Sequence, residues 1–178
     1  MELYPNIVAK TYEKGHMVLP HSYSHDYSIY TTFETFYKDL DKVEKTYYSV
    51  LGHKPPGFFR FPGGSSNQSS YKFGGKILAE NLTFNIREKG YYYVDWNVIC
   101  GDASSISKNP EEMLNQVING STNKNVVVAL FHDVKRNKET ARILPDVIDF
   151  YKQQLYLSDI SRYYRWRIKS NGKYGYCK

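Results

Sequence analysis

Apolar residues recur along this chain at two spacings, and the two spacings alternate. Phe33, Phe36, Tyr37, Leu40, Val43, Tyr47, Val50 and Leu51 step by three and four, the period of one helix face, and Gly52 stops the run. Between such patterns lie short runs of apolar, aromatic and β-branched residues: HMVL at 16–19, FFRF at 58–61, YYYVDWNV at 91–98 and VVVALF at 126–131. Further helices are predicted over residues 3–14, with Pro5 in the first turn, over 75–89, from Asn109-Pro110-Glu111-Glu112 to Gly120, and from about Lys138 to Gln154. Thr31-Thr32-Phe33-Glu34 resembles a capping box, and Pro145 marks a break or restart in the last helix. VVVALF is apolar throughout, as central parallel strands tend to be. Strand and helix in alternation predict an α/β protein with parallel strands.

Folds of this kind place their chemistry at the carboxyl ends of the strands. HMVL runs into HSYSHDY, which holds His21 and His25. FFRF carries Arg60 and leads into Pro62-Gly63-Gly64. YYYVDWNV carries Asp95 and Trp96, and VVVALF leads into His132. Each feature alone has an ordinary reading. Neutral imidazoles suit zinc, but an HxxxH pair also occurs as two structural or exposed histidines. Ser22 follows the first histidine, so the pair is not the HExxH of zinc proteases. Arg60 alone would be a salt-bridge partner, Trp96 a core residue and His132 a hydrogen-bonded buried histidine. Together, on every strand, they point to a site.

The bulk properties bound the rest. The 178 residues suffice for one domain with a real core, and 41% hydrophobic with 24% charged residues reads as globular. No stretch approaches the roughly 18 consecutive apolar residues of a membrane helix, and MELYPNIVAK has no signal-peptide pattern. Cys100 and Cys177 make no disulfide framework. The net charge of +6 sits in Arg162, Arg165, Arg167, Lys169, Lys173 and Lys178, with no acid after Asp159. A nucleic-acid reading would rest on that tail alone, and a basic tail is more often a solvated end. Neither nucleic acid nor membrane is an expected partner.

The ordered motifs HSYSH, RFPGG, VDW and LFH resemble those of the polysaccharide deacetylases of carbohydrate esterase family four, the NodB-homology domain. The resemblance covers roughly Leu3 to Gln154 and implies a domain at 1–154 with a divergent basic tail at 155–178. It implies a distorted β/α barrel and metal-dependent hydrolysis of N-acetyl or O-acetyl groups on a polysaccharide such as peptidoglycan, chitin or xylan. By position, His21 and His25 would bind a divalent metal, usually zinc, which polarises the acetyl carbonyl and activates water. His132 would be the general acid, and Asp95 would orient it and raise its pKa. Trp96, Leu130 and Pro62 would wall the substrate pocket, and Arg60 would hold a catalytic aspartate ionised. The family is mostly secreted or at the cell surface.

The sequence departs from the family where an aspartate pair (TFDDG) is expected ahead of the histidines. That pair supplies the family's base and third metal ligand, and no Asp precedes His21 here. Asp26 adjoins His25 but is expected to point elsewhere in a short turn. The first strands of the barrel would be missing, leaving open edges that a second chain would have to complete. Pro20 removes a backbone donor beside the histidines, and Tyr92 stands where a further aspartate is usual. Three functions follow: an impaired deacetylase, an inactive deacetylase-like remnant that still binds sugar, or a binder of anionic polymer through its tail.

Overall fold

The structure is a computed structural model that describes residues 1–103 and 109–154. The expected basic tail at 155–178 lies outside the described residues. The chain divides into two compact units, Met1–Asp95 and Trp96–Lys178.

The first unit contains α1 (Pro5–Glu13), α2 (Phe33–Leu51), α3 (Tyr71–Glu88) and the parallel pair β1 (Phe58–Phe59) and β2 (Tyr92–Tyr93), with short 3-10 turns at Tyr27–Thr31 and Gln68–Ser70. The apolar face read from residues 33–51 is the face α2 buries: Phe36, Leu40 and Val43 join Phe59, Phe61, Leu82, Ile86 and Tyr91 in one core cluster. The capping box is real but shifted by one residue from the sequence reading. Thr32 caps the Thr35 N–H, and the Thr35 hydroxyl returns to the Thr32 N–H. Gly52 closes the helix in the left-handed conformation, as the stop at that position predicts.

Aromatic rings hold this core. Phe36 sits 5.6 Å from Phe61 and 5.7 Å from Phe59, ring centre to ring centre. Helix α3 comes close to the 27–31 turn because position 74 has no side chain. A Cβ there would lie 2.3 Å from the Tyr30 carbonyl oxygen and 2.1 Å from Leu78 Cδ2. The helix starts four residues earlier than 75–89 and is kinked, with Gly75 at φ +81°.

The second unit pairs β3 (Val98–Ile99) with β4 (Ala129–Leu130), again in parallel, and packs α4 (Pro110–Ser121) and α5 (Lys138–Gln154) with them. Val98, Cys100, Met113, Val117, Ile143, Val147 and Tyr151 form its core. Burial pushes the Cys100 thiol up to about 11, so it stays protonated at neutral pH. Pro145 falls inside α5, which continues through it rather than breaking.

Two sequence expectations are corrected. YYYVDWNV is not one strand: it pairs as β2 at 92–93 and as β3 at 98–99, in separate two-stranded sheets. HMVL forms no assigned ladder; just past it, the Arg60 N–H donates to the Pro20 carbonyl at 3.2 Å. Hydrophobic pattern marks where a chain is extended, but strand pairing depends on what lies beside it.

Phe36→Ala should cost about 3–5 kcal/mol of unfolding free energy, because a 1% exposed ring packed among other rings leaves a cavity they cannot fill. Urea denaturation followed by circular dichroism measures it; a loss under 1 kcal/mol would mean the aromatic cluster is loosely packed.

Candidate active site

In the first unit the HSYSHDY loop is held from α2. The Asp39 carboxylate, 8% exposed, accepts the Tyr23 N–H at 2.7 Å and the Ser24 N–H at 3.0 Å. The loop between the two histidines needs this, because Ser22 (φ +84°) and His25 (φ +52°) both lie in the left-handed region that disfavours side chains. The Ser22 hydroxyl adds a bond from the His25 N–H at 2.9 Å. The His21 and His25 rings stand edge to face, 5.0 Å between centres. The His21 Nδ1 bonds the Arg60 carbonyl oxygen at 2.8 Å. A carbonyl only accepts, so Nδ1 carries the proton and Nε2 the lone pair.

Arg60 is half-buried, and its Nε donates to the Val94 carbonyl at 3.0 Å. Burial lowers its pKa from the usual guanidinium value, and the charge of Asp95 opposes that. The Asp95 carboxylate accepts the Ser65 N–H at 2.9 Å and the Ser65 hydroxyl, which ties it to the turn after RFPGG. Gly63 (φ +79°) makes that turn, and a Cβ on it would lie 2.6 Å from the Tyr27 hydroxyl. Pro62, expected to face substrate, is buried instead. Its carbonyl accepts the Tyr30 hydroxyl at 2.9 Å and the Asn67 side-chain amide at 3.2 Å, so it anchors the turn from beneath.

In the second unit, His132 is held by Asp102. The His132 Nδ1–H donates to Asp102 Oδ1 at 2.8 Å, and the His132 backbone N–H donates to Oδ2 at 2.7 Å. The Thr140 hydroxyl adds a bond to Oδ2 at 3.1 Å. The Asn137 amide braces the carbonyls of His132 and Asp102. Asp102 is 7% exposed while the His132 ring remains open on one side. Burial raises the Asp102 pKa, yet the bonds from His132, Cys100 and Thr140 outweigh it and hold the carboxyl below its usual range. Trp96 and Leu130 are half-buried, Leu130 on β4 two residues before His132.

The sequence reading gave the part of orienting His132 to Asp95. The structure gives the bond to Asp102. Ile99 pairs with Leu130 in parallel, so the chain just past β3 and the chain just past β4 emerge side by side and bring Asp102 to His132. The signal was present as Gly101-Asp102 at the end of NVIC, but it is hidden when 91–98 is read as a single strand that stops before it. Asp39 was missed because a lone acid in an amphipathic helix ordinarily faces water.

The metal reading rests on two donors. Among the described residues, no group of three His, Cys, Asp or Glu is placed to hold a metal ion. The imidazole pair suits zinc in type, but a catalytic zinc takes three protein ligands, so these residues do not complete such a site. Asp26 does not fill the place: its carboxylate accepts the Ser28 N–H at 2.8 Å and caps the 27–31 turn, and that bond lowers its pKa.

Comparison with known proteins places this geometry. The sequence model described as polysaccharide deacetylase matches residues 1–76. The catalytic domain of peptidoglycan N-acetylglucosamine deacetylase from Eubacterium rectale superposes with a TM-score of 0.77 and 33% identity, over 87% of this chain and 71% of that one. The chain belongs to the polysaccharide deacetylase family. A CE4 esterase of Streptococcus mutans superposes with a TM-score of 0.73 and 26% identity, over 88% of this chain and 68% of that one. A CE4 family pseudoenzyme from Bacillus anthracis shares the fold at 16% identity and a TM-score of 0.64, over 87% of this chain and 48% of that one. No curated protein matches. The α/β fold is that of deacetylase catalytic domains in partial form, and the family is generally metal-dependent.

Two substitutions test the supports. Asp39→Asn should speed amide exchange at Tyr23 or Ser24 by about tenfold or more, since the two N–H groups bond different carboxylate oxygens and the substitution turns one of these into an NH2 donor; unchanged exchange at both would show the loop holds itself. Asp102 has a folded-state pKa below its unfolded value of about 3.9. Its stabilisation is therefore present above that pH and lost as pH falls through the folded value. Asp102→Asn should weaken this acid-side loss of stability in a pH series of thermal melts, and an identical pH dependence would refute the assignment.

Proposed function

We propose that this chain hydrolyses acetyl groups, N-acetyl rather than O-acetyl, from a polysaccharide such as peptidoglycan or chitin, and that it does so slowly. The observation that supports this most is the His132–Asp102 pair at the ends of β3 and β4. A buried carboxylate on Nδ1 fixes the imidazole tautomer and stabilises the imidazolium, so that Nε2 can deliver a proton to the leaving amine. His132 is then the general acid and Asp102 its positioning residue. Arg60 and Asp95 order the RFPGG turn, and Trp96 and Leu130 offer the apolar wall for the acetyl methyl. The Eubacterium rectale relative's name, a peptidoglycan N-acetylglucosamine deacetylase, favours the N-acetyl choice. The working domain is 1–154, with 155–178 as a divergent basic tail.

His21 and His25 would hold a divalent metal, zinc by the type of donor, together with at least one ligand that the described residues do not supply. A carboxylate to take the proton from an attacking water is also not placed beside them. These two gaps support the reading of low activity. They also favour the second reading, a sugar-binding protein without turnover. A carboxylate and a further ligand supplied from outside the described residues would favour the first.

Acetate release from acetylated chito-oligosaccharide and from peptidoglycan, with added zinc or cobalt, separates these readings. The chain as given should be slower by about 10²–10⁴-fold than a version with a TFDDG-type segment fused ahead of Met1, the usual worth of a general base. In the fused version His132→Ala should lose a similar factor. Equal rates with and without the added segment would refute the impairment, and no release from either would leave sugar binding as the function.

A further inference from the structure

We propose that a cavity at the amino-terminal ends of β1 and β2 is a further binding site, which takes an acidic sugar, its carboxylate toward Lys54 and Lys89 and its hydroxyls toward Glu44. The cavity has a volume of about 510 Å³, within the range of small-molecule sites, about 300–1,000 Å³. All its walls belong to the first unit. One wall is the chain just ahead of β1, a second is the chain just ahead of β2, and α2 supplies the third. Parallel pairing of Phe58 with Tyr92 puts the two strand entries side by side. They come close because position 57 has no side chain: a Cβ there would lie 2.6 Å from the Gly90 carbonyl oxygen. His21 bonds the chain past the other end of β1, at Arg60, so the cavity is apart from the histidine loop.

Three lysines and two acids line the cavity, which leaves its walls one net positive charge. Asp41 is taken by Lys45, at 2.6 Å on an exposed turn of α2. The other two lysines meet no carboxylate among the described residues. The Lys89 ammonium lies over the Tyr37 ring, 5.3 Å from its centre, and the Lys54 ammonium has no bond. Both residues are exposed, and a four-carbon stem lets each ammonium turn toward an anion. Glu44 is held on one side. The Tyr91 hydroxyl donates to its Oε1 at 2.5 Å. Burial, with that bond, raises the Tyr91 pKa, so the phenol keeps its proton. Glu44 Oε2 has no bond among the described residues and is not buried, so a ligand donor can reach it.

The lysines call for an anion and Oε2 calls for a donor. Acetate meets the first and is repelled by the second. A neutral sugar meets the second and leaves both lysines unmatched. A sugar acid carries both groups on one ring. Tyr48, 58% exposed on the same helix as Glu44, offers an aromatic face for the C–H side of a pyranose. An amino acid also carries an anion and a donor, but it has no net charge to match these walls and no ring to lie on Tyr48. The site needs no acetyl chemistry.

The test titrates the isotope-labelled full chain with glucuronate, glucose, alanine and acetate and follows the backbone amide signals of Gly57 and Gly90. Both should shift saturably with glucuronate, and the other three ligands should bind at least about fivefold more weakly, the worth of one or two exposed charge pairs. Salt raised to about 1 M should weaken glucuronate binding, because exposed charges are then screened within a few ångströms. Lys54→Gln and Lys89→Gln should each raise the apparent Kd about two- to fivefold, and Lys54→Gln should leave Tm unchanged because its ammonium is unbonded in the free protein. Tyr48→Ala, at an exposed position, should raise the Kd as well. An equal response to acetate, which means an adventitious anion only, overturns the proposal. So does an equal response to glucose or alanine, binding that ignores salt, or no saturable shift at either glycine. Failure of the deacetylase reading would appear in acetate release and leave this titration unaffected.

Discussion

One carboxylate on α2 sets the shape of the histidine loop. Asp39 reaches from a helix whose other face is packed into the core and takes two successive backbone N–H groups of the loop. On either side of them, Ser22 and His25 adopt backbone conformations that cost on the order of 1–3 kcal/mol each. A loop of small polar residues would not hold that shape in water. It holds here because a buried anion needs those donors as much as the loop needs the acceptor. The consequence is chemical. His21 turns its Nδ1 to the Arg60 carbonyl, and its ring comes within 5.0 Å of His25.

The second unit solves the corresponding problem with strand register. Parallel pairing of Val98 with Ala129 and Ile99 with Leu130 makes two chain ends leave the sheet at the same place. One end carries Asp102 and the other His132. The carboxylate is buried and bonded four ways, so its position is over-determined, while the imidazole keeps one side open. A buried acceptor behind an accessible ring is what a proton donor needs, since the carboxylate stabilises the charged ring without titrating near neutrality.

The same polar economy is not complete around Tyr47 and His53. Elsewhere in the first unit, buried or partly buried tyrosines end on acceptors: Tyr30 on the Pro62 carbonyl, Tyr37 on Asn85 and Tyr91 on Glu44. Tyr47 lies in the same helix as Tyr37 and is better buried, and its hydroxyl, like His53 Nε2, has no hydrogen-bond partner.

The sequence by itself determined which segments are helical and that the strands pair in parallel. Those properties follow from local periods and from stop residues such as Gly52, which act over a few residues. Its ordered motifs also carried the family. Only the tertiary structure decided the partners. That His132 bonds Asp102 rather than having its Nδ1 served by Asp95 depends on where a strand breaks, and Tyr93 and Val98 pair with different neighbours. That Pro62 is buried depends on Tyr30 and Asn67 reaching its carbonyl, and that Asp39 faces the loop depends on how α2 lies against residues 21–25. Such choices are made by groups far apart in the chain, whose contact free energies are settled only when burial removes water from between them.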